Sequence, residues 1–448
     1  MESEQKEVYM NKDFLLSSEL SKKLYEPVKD LPIIDYHNHL SVSDIAEDKV
    51  FGSITELWLS PDPYKHRAMR ILGIPEKYIT GDADDFEKFE KWYGCLPSLV
   101  GNPLFDWAVM EFKTVFEIEL LPFSASAKEV YEKANEKLKT LSSKAILAKF
   151  KIEYSAPCAS LLDDLSLFDR KALCPSLRGD DIVAVTPEFI SRLEALTGIK
   201  IVSLKDFENA VETRIIAFKE AGCRFSDHAL DCGFTFTEEK NAEEKFRALL
   251  RGEKADLSSH ILKMLACLYA KHGLSMQLHI GAQRETSSRL LKLAGKAGGF
   301  AAIGNTVDVK SLTSFLDEVE KGEYGLPKTV LFTLNPADNA VLATLSGSYS
   351  KDGAPSVVTQ GPAWWWCDHI KGMTDMLENF AVHSVLSTFI GMTTDSRSLL
   401  SFVRHDYFRR AFCSFLAEKA EKGEYPNDLT LLEGIAVKCC YQNAKDLI

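Results

Sequence analysis

The residues best suited to chemistry in this chain stand near its start, in Asp35-Tyr36-His37-Asn38-His39. They follow the apolar stretch Leu31-Pro32-Ile33-Ile34, and together the two read as a strand that ends in His-x-His. Successive side chains on a strand alternate between faces, so residues i and i+2 share one face. His37 and His39 can therefore aim two imidazoles at one metal ion. The same spacing also suits two ordinary strand-end histidines. The motif gains meaning only if further ligands arrive at the same place.

Strands alternating with helices would bring them there. Short apolar or β-branched runs at 33–37, 152–155, 172–175, 223–226, 276–280, 329–334, 356–359 and 389–393 read as strands. Helical patterns lie between many of them, as at 204–221, 242–250 and 310–321. Alternation of this kind implies a parallel sheet, and eight such strands fit a (β/α)8 barrel. An open doubly wound sheet is the alternative, but no GxGxxG fingerprint or P-loop favours it. The mostly helical residues 52–148 interrupt the first connection. They are expected as an insertion over the mouth of a single barrel domain spanning 1–448.

Active sites of such barrels sit at the C-terminal strand ends. Those ends carry His37 and His39, then Arg178, then Ser226-Asp227-His228, then His279 with Arg284 beyond it. Asn335-Pro336, Trp364-Trp365 and Thr394-Asp395-Ser396-Arg397 complete the rim. Three His and one Asp on one rim suit a divalent metal, which would polarise an oxygen or activate water. A lone strand-end His is more often a hydrogen-bonded core residue, and His228 keeps that reading, with metal ligation as its alternative. His260, His272, His369 and His383 are expected to be structural. The charged neighbours of His405 in Arg404-His405-Asp406-Tyr407-Phe408-Arg409-Arg410 read as a solvated or interface face, and the charged run from Asp206 to Glu220 as a solvated helix face. Trp364-Trp365-Trp366 precedes the polar Cys367-Asp368, which favours a ligand wall over plain core. Tyr64 suits either a packing or a functional role.

The net charge of −12, from 53 Lys plus Arg against 65 Asp plus Glu, argues against a nucleic-acid or anionic-membrane surface. It leaves room for a small anionic ligand, because a local pair of Arg dominates its own pocket. The ten Cys are scattered without a CxxC pair and read as reduced, mostly buried thiols. The polar N-terminus lacks an apolar signal core, and no apolar run approaches the roughly 18 residues of a membrane span. The expected location is the cytoplasm.

These residues resemble the uronate isomerase (glucuronate isomerase) family of the amidohydrolase superfamily. The resemblance rests on residues 33–40, Ile79-Thr80-Gly81-Asp82, Gly101-Asn102-Pro103-Leu104, 223–230, 277–282, Leu334-Asn335-Pro336, Ala363-Trp364-Trp365 and 391–399. It runs from about residue 14 to the C-terminus. It implies a distorted (β/α)8 barrel with one divalent metal, often zinc, with manganese or another ion left open. It carries metal ligation onto His37, His39, Asp395 and His279, and proton transfer onto Tyr64, Asp395 and Arg397. Arg178 and Arg284 match positions that grip the substrate carboxylate, and Trp364 or Trp365 a pocket wall. The implied reaction interconverts D-glucuronate with D-fructuronate, and D-galacturonate with D-tagaturonate, by moving a proton between C2 and C1.

Two departures stand out. The family usually has His before the Tyr matched by Tyr64, where this chain has Pro63. It also usually has an acidic pair after the second strand, where this chain has Ala156-Pro157-Cys158. Two other readings therefore stay open: a metal-dependent hydrolase of the same superfamily, and a sugar-acid-binding homologue without turnover. Assembly into homo-oligomers is left open as well.

Overall fold

The computed structural model describes residues 9–121 and 123–448. Seven parallel strands pair in chain order: β1 (Ile33–Asn38), β2 (Ile152–Ser160), β3 (Ser176–Arg178), β4 (Phe225–Leu230), β5 (Ser275–Ile280), β6 (Thr329–Thr333) and β7 (Val358–Gln360). The order follows from the connections, which return the chain beside the strand just left, through helices everywhere except between β2 and β3. Helices such as Leu204–Glu220 cover the sheet, burying Phe207, Val211, Ile215 and Phe218 along one stripe. The apolar residues recur every three or four positions, so one face packs on the sheet while the charged face stays in water.

The eighth position departs from the expected strand at 389–393. This segment has no ladder of its own, but it lies beside β1. Asp395 N–H donates to His37 O at 3.0 Å, and His39 N–H to Ser396 O at 2.8 Å. The Thr393 hydroxyl, at 2.9 Å, takes the His37 N–H that a strand partner would have taken. Gly391 has φ +80°, and a Cβ there would lie 2.3 Å from Cys439 O. That left-handed kink, available at low cost to glycine, breaks the regular ladder. The result is a distorted (β/α)8 barrel.

Other strands sit differently from the expectation too, the fourth running over Phe225–Leu230 and not 223–226. The third begins at Ser176, not at 172–175, because Pro175 has no N–H to give a ladder; Leu173 makes only an isolated bridge to Ser155. The second continues past 155 to Ser160, since Cys158, Ala159 and Ser160 pair with Ser176, Leu177 and Arg178.

Between β1 and β2 lie the helices Pro63–Ile71, Asp85–Cys95, Pro103–Glu111, Ala127–Leu138 and Ser143–Lys149. Their core is aromatic, with Trp58, Phe89, Trp92, Phe112 and Phe116 all fully buried. Among the described residues, no helix is long and apolar enough to cross a membrane.

Candidate active site

The end of β1 meets the segment after residue 394 around one carboxylate. Asp395 Oδ1 stands 3.1 Å from His37 Nε2 and 2.9 Å from His39 Nε2. Its other oxygen accepts indole N–H bonds from Trp364 at 2.6 Å and Trp365 at 2.5 Å. Burial opposes the charged carboxylate, but the bonds and positive charge of the two histidines hold Asp395 well below the usual range. Two residues of this cluster have left-handed backbones, Trp365 at φ 48° and Asp395 at φ 46°. For non-glycine residues that costs about 1–3 kcal/mol each, and such strain concentrates at functional sites.

Asp35, fully buried, fastens the two segments. It accepts from Thr393 Oγ1 at 2.9 Å, Thr394 N at 2.6 Å, Thr394 Oγ1 at 2.7 Å and Asn38 Nδ2 at 2.8 Å. His405 Nε2 lies 3.3 Å from the same carboxylate. This corrects the reading of 404–410 as a solvated or interface face: Arg404, His405 and Arg409 are buried. Arg404 pairs with Asp368 and lies over the Trp107 ring at 4.4 Å, so its charge is satisfied inside. Sequence spacing could not reveal this, because both partners come from distant segments.

His279, from β5, points Nδ1 at Asp227 Oδ1 at 2.6 Å, leaving Nε2 buried without a hydrogen-bond partner. Its ring stacks on Phe332 at 4.4 Å and lies 4.4 Å from His37. A carboxylate behind a ring nitrogen fixes the tautomer and frees the other nitrogen for a ligand. Asp227 was visible in the sequence only as the neighbour of His228. His228 itself bonds the Tyr269 hydroxyl at 3.0 Å and keeps its structural reading.

A cavity of about 810 Å³ opens over these groups, lined also by Tyr64, Arg178, Arg284, Arg397 and the three tryptophans. Tyr64 arrives on the helix Pro63–Ile71. Asp62 caps that helix, accepting from Tyr64 N at 2.9 Å, and Pro63 suits its first position, where no N–H is needed. The Tyr64 hydroxyl is buried without a partner. Burial and then the negative charge of Asp395 push its pKa well above the ordinary value, so it stands as a neutral donor. Gly299, at φ +78°, packs against this helix so closely that a Cβ would lie 2.2 Å from Pro63 O. Arg67 clamps the same loop, donating to Ala301 O at 3.0 Å and lying over Trp366 at 4.4 Å.

The two candidate carboxylate-gripping arginines are each held by an aspartate. Arg178 Nε reaches Asp180 at 3.0 Å, and Arg284 Nε reaches Asp231 at 2.7 Å while lying over Trp365 at 5.0 Å. Arg397 is exposed and makes no ion pair among the described residues. All the candidate residues from the sequence thus face one cavity. They differ in that His37 and His39 contact Asp395, while His279 stands beside them on its own aspartate.

The donors fit a divalent cation. Two imidazoles and a carboxylate oxygen converge, and His279 adds an unpaired nitrogen nearby; nitrogen and oxygen donors of this kind suit zinc or manganese. His37, Asp227 and His279 also bring ligand atoms within 4.8 Å of one another.

Comparison with known proteins identifies a family. The model of the glucuronate isomerase family matches residues 6–448. The chain belongs to that family. A uronate isomerase of Caldicellulosiruptor bescii is 40% identical over 461 residues, covering 98% of both chains. One from Bacillus licheniformis is 40% identical over 458 residues, covering 98% of this chain and 97% of the relative. Among solved structures, the uronate isomerase of Thermotoga maritima superposes with a TM-score of 0.90 at 28% identity, over 98% of this chain and 99% of that one. Family membership favours neither the hydrolase reading nor the binding-only reading.

Proposed function

We propose that the chain is a uronate isomerase, interconverting D-glucuronate with D-fructuronate and D-galacturonate with D-tagaturonate. The observation that carries the reading is Asp395, with one oxygen between His37 and His39 and the other on two indoles, on the wall of a cavity that also holds Tyr64 and three arginines. One divalent ion, zinc foremost, held by His37, His39 and Asp395 with His279 beside them, would polarise a substrate oxygen.

The remaining work falls to the chain's own side chains. Arg178 and Arg284 bind the hexuronate carboxylate, their planar forks held by Asp180 and Asp231 and so preset to meet both oxygens. Asp395, ionised at neutral pH, takes the proton of the ring hydroxyl as the hemiacetal opens. The C2 proton then leaves to a base and returns at C1, turning the C1 aldehyde into a hydroxymethyl group and the C2 alcohol into a ketone. Tyr64, neutral and desolvated, donates to the developing oxygen and shuttles the proton, with Arg397 holding the adjacent oxygen. Trp364 and Trp365 form the wall and exclude water. Helices between residues 52 and 148 form the insertion over the mouth of the one barrel domain, with Tyr64 as its catalytic contribution. Ten unpaired cysteines suit a reducing cytoplasm.

Proton NMR of the protein with each uronate in heavy water tests the reading. A ketose signal growing as the aldose falls supports it, and deuterium at C1 would report how far the shuttled proton exchanges. No conversion of either sugar with zinc or manganese present overturns it.

A further inference from the structure

Cys158, on β2, is the thiol that lies beside the histidines of this site, whereas Cys232 lines the cavity elsewhere. Its Sγ lies 3.7 Å from His37 Nδ1 and 3.7 Å from Asp227 Oδ2. With His37 and His39 it forms a set whose ligand atoms all lie within 4.8 Å of one another. The spacing is informative. A tetrahedral ion with metal–sulfur bonds of about 2.3 Å and metal–nitrogen bonds of about 2.0–2.1 Å holds two such donors roughly 3.5 Å apart. The pairing of strands β2 and β3 at Cys158↔Ser176 places the thiol on a rigid strand.

We propose that Cys158 is a sulfur donor for a thiophilic divalent ion, forming with His37 and His39 a coordination mode separate from the one that uses Asp395. His37 turns Nδ1 to Cys158 and Nε2 to Asp395. A neutral imidazole has one nitrogen lone pair to give, so the ring serves one mode at a time. Hard ions have no use for sulfur and stay on the Asp395 side; soft ions such as cadmium are drawn to Cys158. On binding, the thiol proton leaves to solvent and the sulfur–metal bond forms, with no change of oxidation state. The inference rests on the metal centre proposed above and adds its selectivity.

Cadmium titration of the whole chain tests it, read by ultraviolet difference spectroscopy, cadmium-113 NMR and bound metal per chain. A thiolate-to-cadmium band and a downfield, sulfur-ligated resonance are expected in the wild type. Both should persist in Asp395→Asn and vanish in Cys158→Ser and Cys158→Ala, two variants with circular dichroism as the check on folding. A band that survives both cysteine variants belongs to another thiol and overturns the assignment. A chain that binds one manganese or zinc but shows no thiolate signal with cadmium overturns this inference alone. A chain that retains none of the three ions overturns it together with the metal centre.

Discussion

Replacing Trp365 by Phe isolates one bond at the centre of the site. The indole N–H donates to Asp395 Oδ2 at 2.5 Å, beside the Trp364 donor at 2.6 Å. Phenylalanine keeps an aromatic ring for Arg284 and asks the same left-handed backbone of residue 365, so the donor is the main loss. A hydrogen bond to a charged group contributes about 1.5–3 kcal/mol, and each 1.36 kcal/mol is tenfold in rate. W365F should therefore lower kcat/KM for glucuronate by about one to two orders of magnitude. W364F should fall in the same range, because it removes the other donor to the same oxygen. The double variant should lose more than the product of the two. Either single variant leaves one donor on the oxygen, whereas losing both leaves a buried carboxylate oxygen unsatisfied and its orientation unfixed. A coupling of at least about 0.5 kcal/mol is expected for groups that share a partner. The assay is ketose formation at subsaturating glucuronate for all four proteins, with circular dichroism confirming the fold. A W365F enzyme within about twofold of wild type would refute the view that the indoles hold Asp395 for catalysis.

Tyr64→Phe should cut kcat by about 10²–10⁴, the scale of a lost proton-transfer group, with a smaller change in KM; steady-state kinetics on both uronates would decide. Asp227→Ala removes the carboxylate behind His279 and should weaken metal affinity by about 10–100-fold, measured by chelator competition. Extraction with a chelator should abolish isomerisation, and zinc or manganese should restore it. His66 is buried, and desolvation first of all lowers its pKa from 6.5 to about 4. The folded chain thus resists a proton that the unfolded chain accepts. Stability is unaffected above pH 6.5 and falls as the pH drops towards 4, by about 3 kcal/mol at most. The thermal midpoint of His66→Leu should vary less than that of the wild type between pH 7.5 and 5.

Much of the site was legible because strand ends are legible. The His-x-His of β1 announces itself by spacing, and the polar residues after each apolar run mark the rim. The sequence also suggested that Trp364 and Trp365 form a wall, but not that their indole N–H groups hold Asp395. That pairing depends on two turns with left-handed residues meeting across the barrel mouth. Burial of Arg404 and His405 was missed for a related reason. A charged cluster reads as solvated unless its partners, here Asp368 and Asp35, are known to lie opposite.

The sequence by itself determined the alternation of strands and helices, the chemical types on the rim and the family to which the chain belongs. The first two follow from local periodicity and residue type, and the third from motifs matched along the chain; none needs knowledge of distant contacts. Only the tertiary structure decided that the eighth segment runs without a ladder beside β1, that His279 is backed by Asp227, and that Cys158 faces His37. Each of these is a distance between residues from separate strands, set by sheet register and by the packing of glycine turns, and side-chain order along the chain carries no record of it.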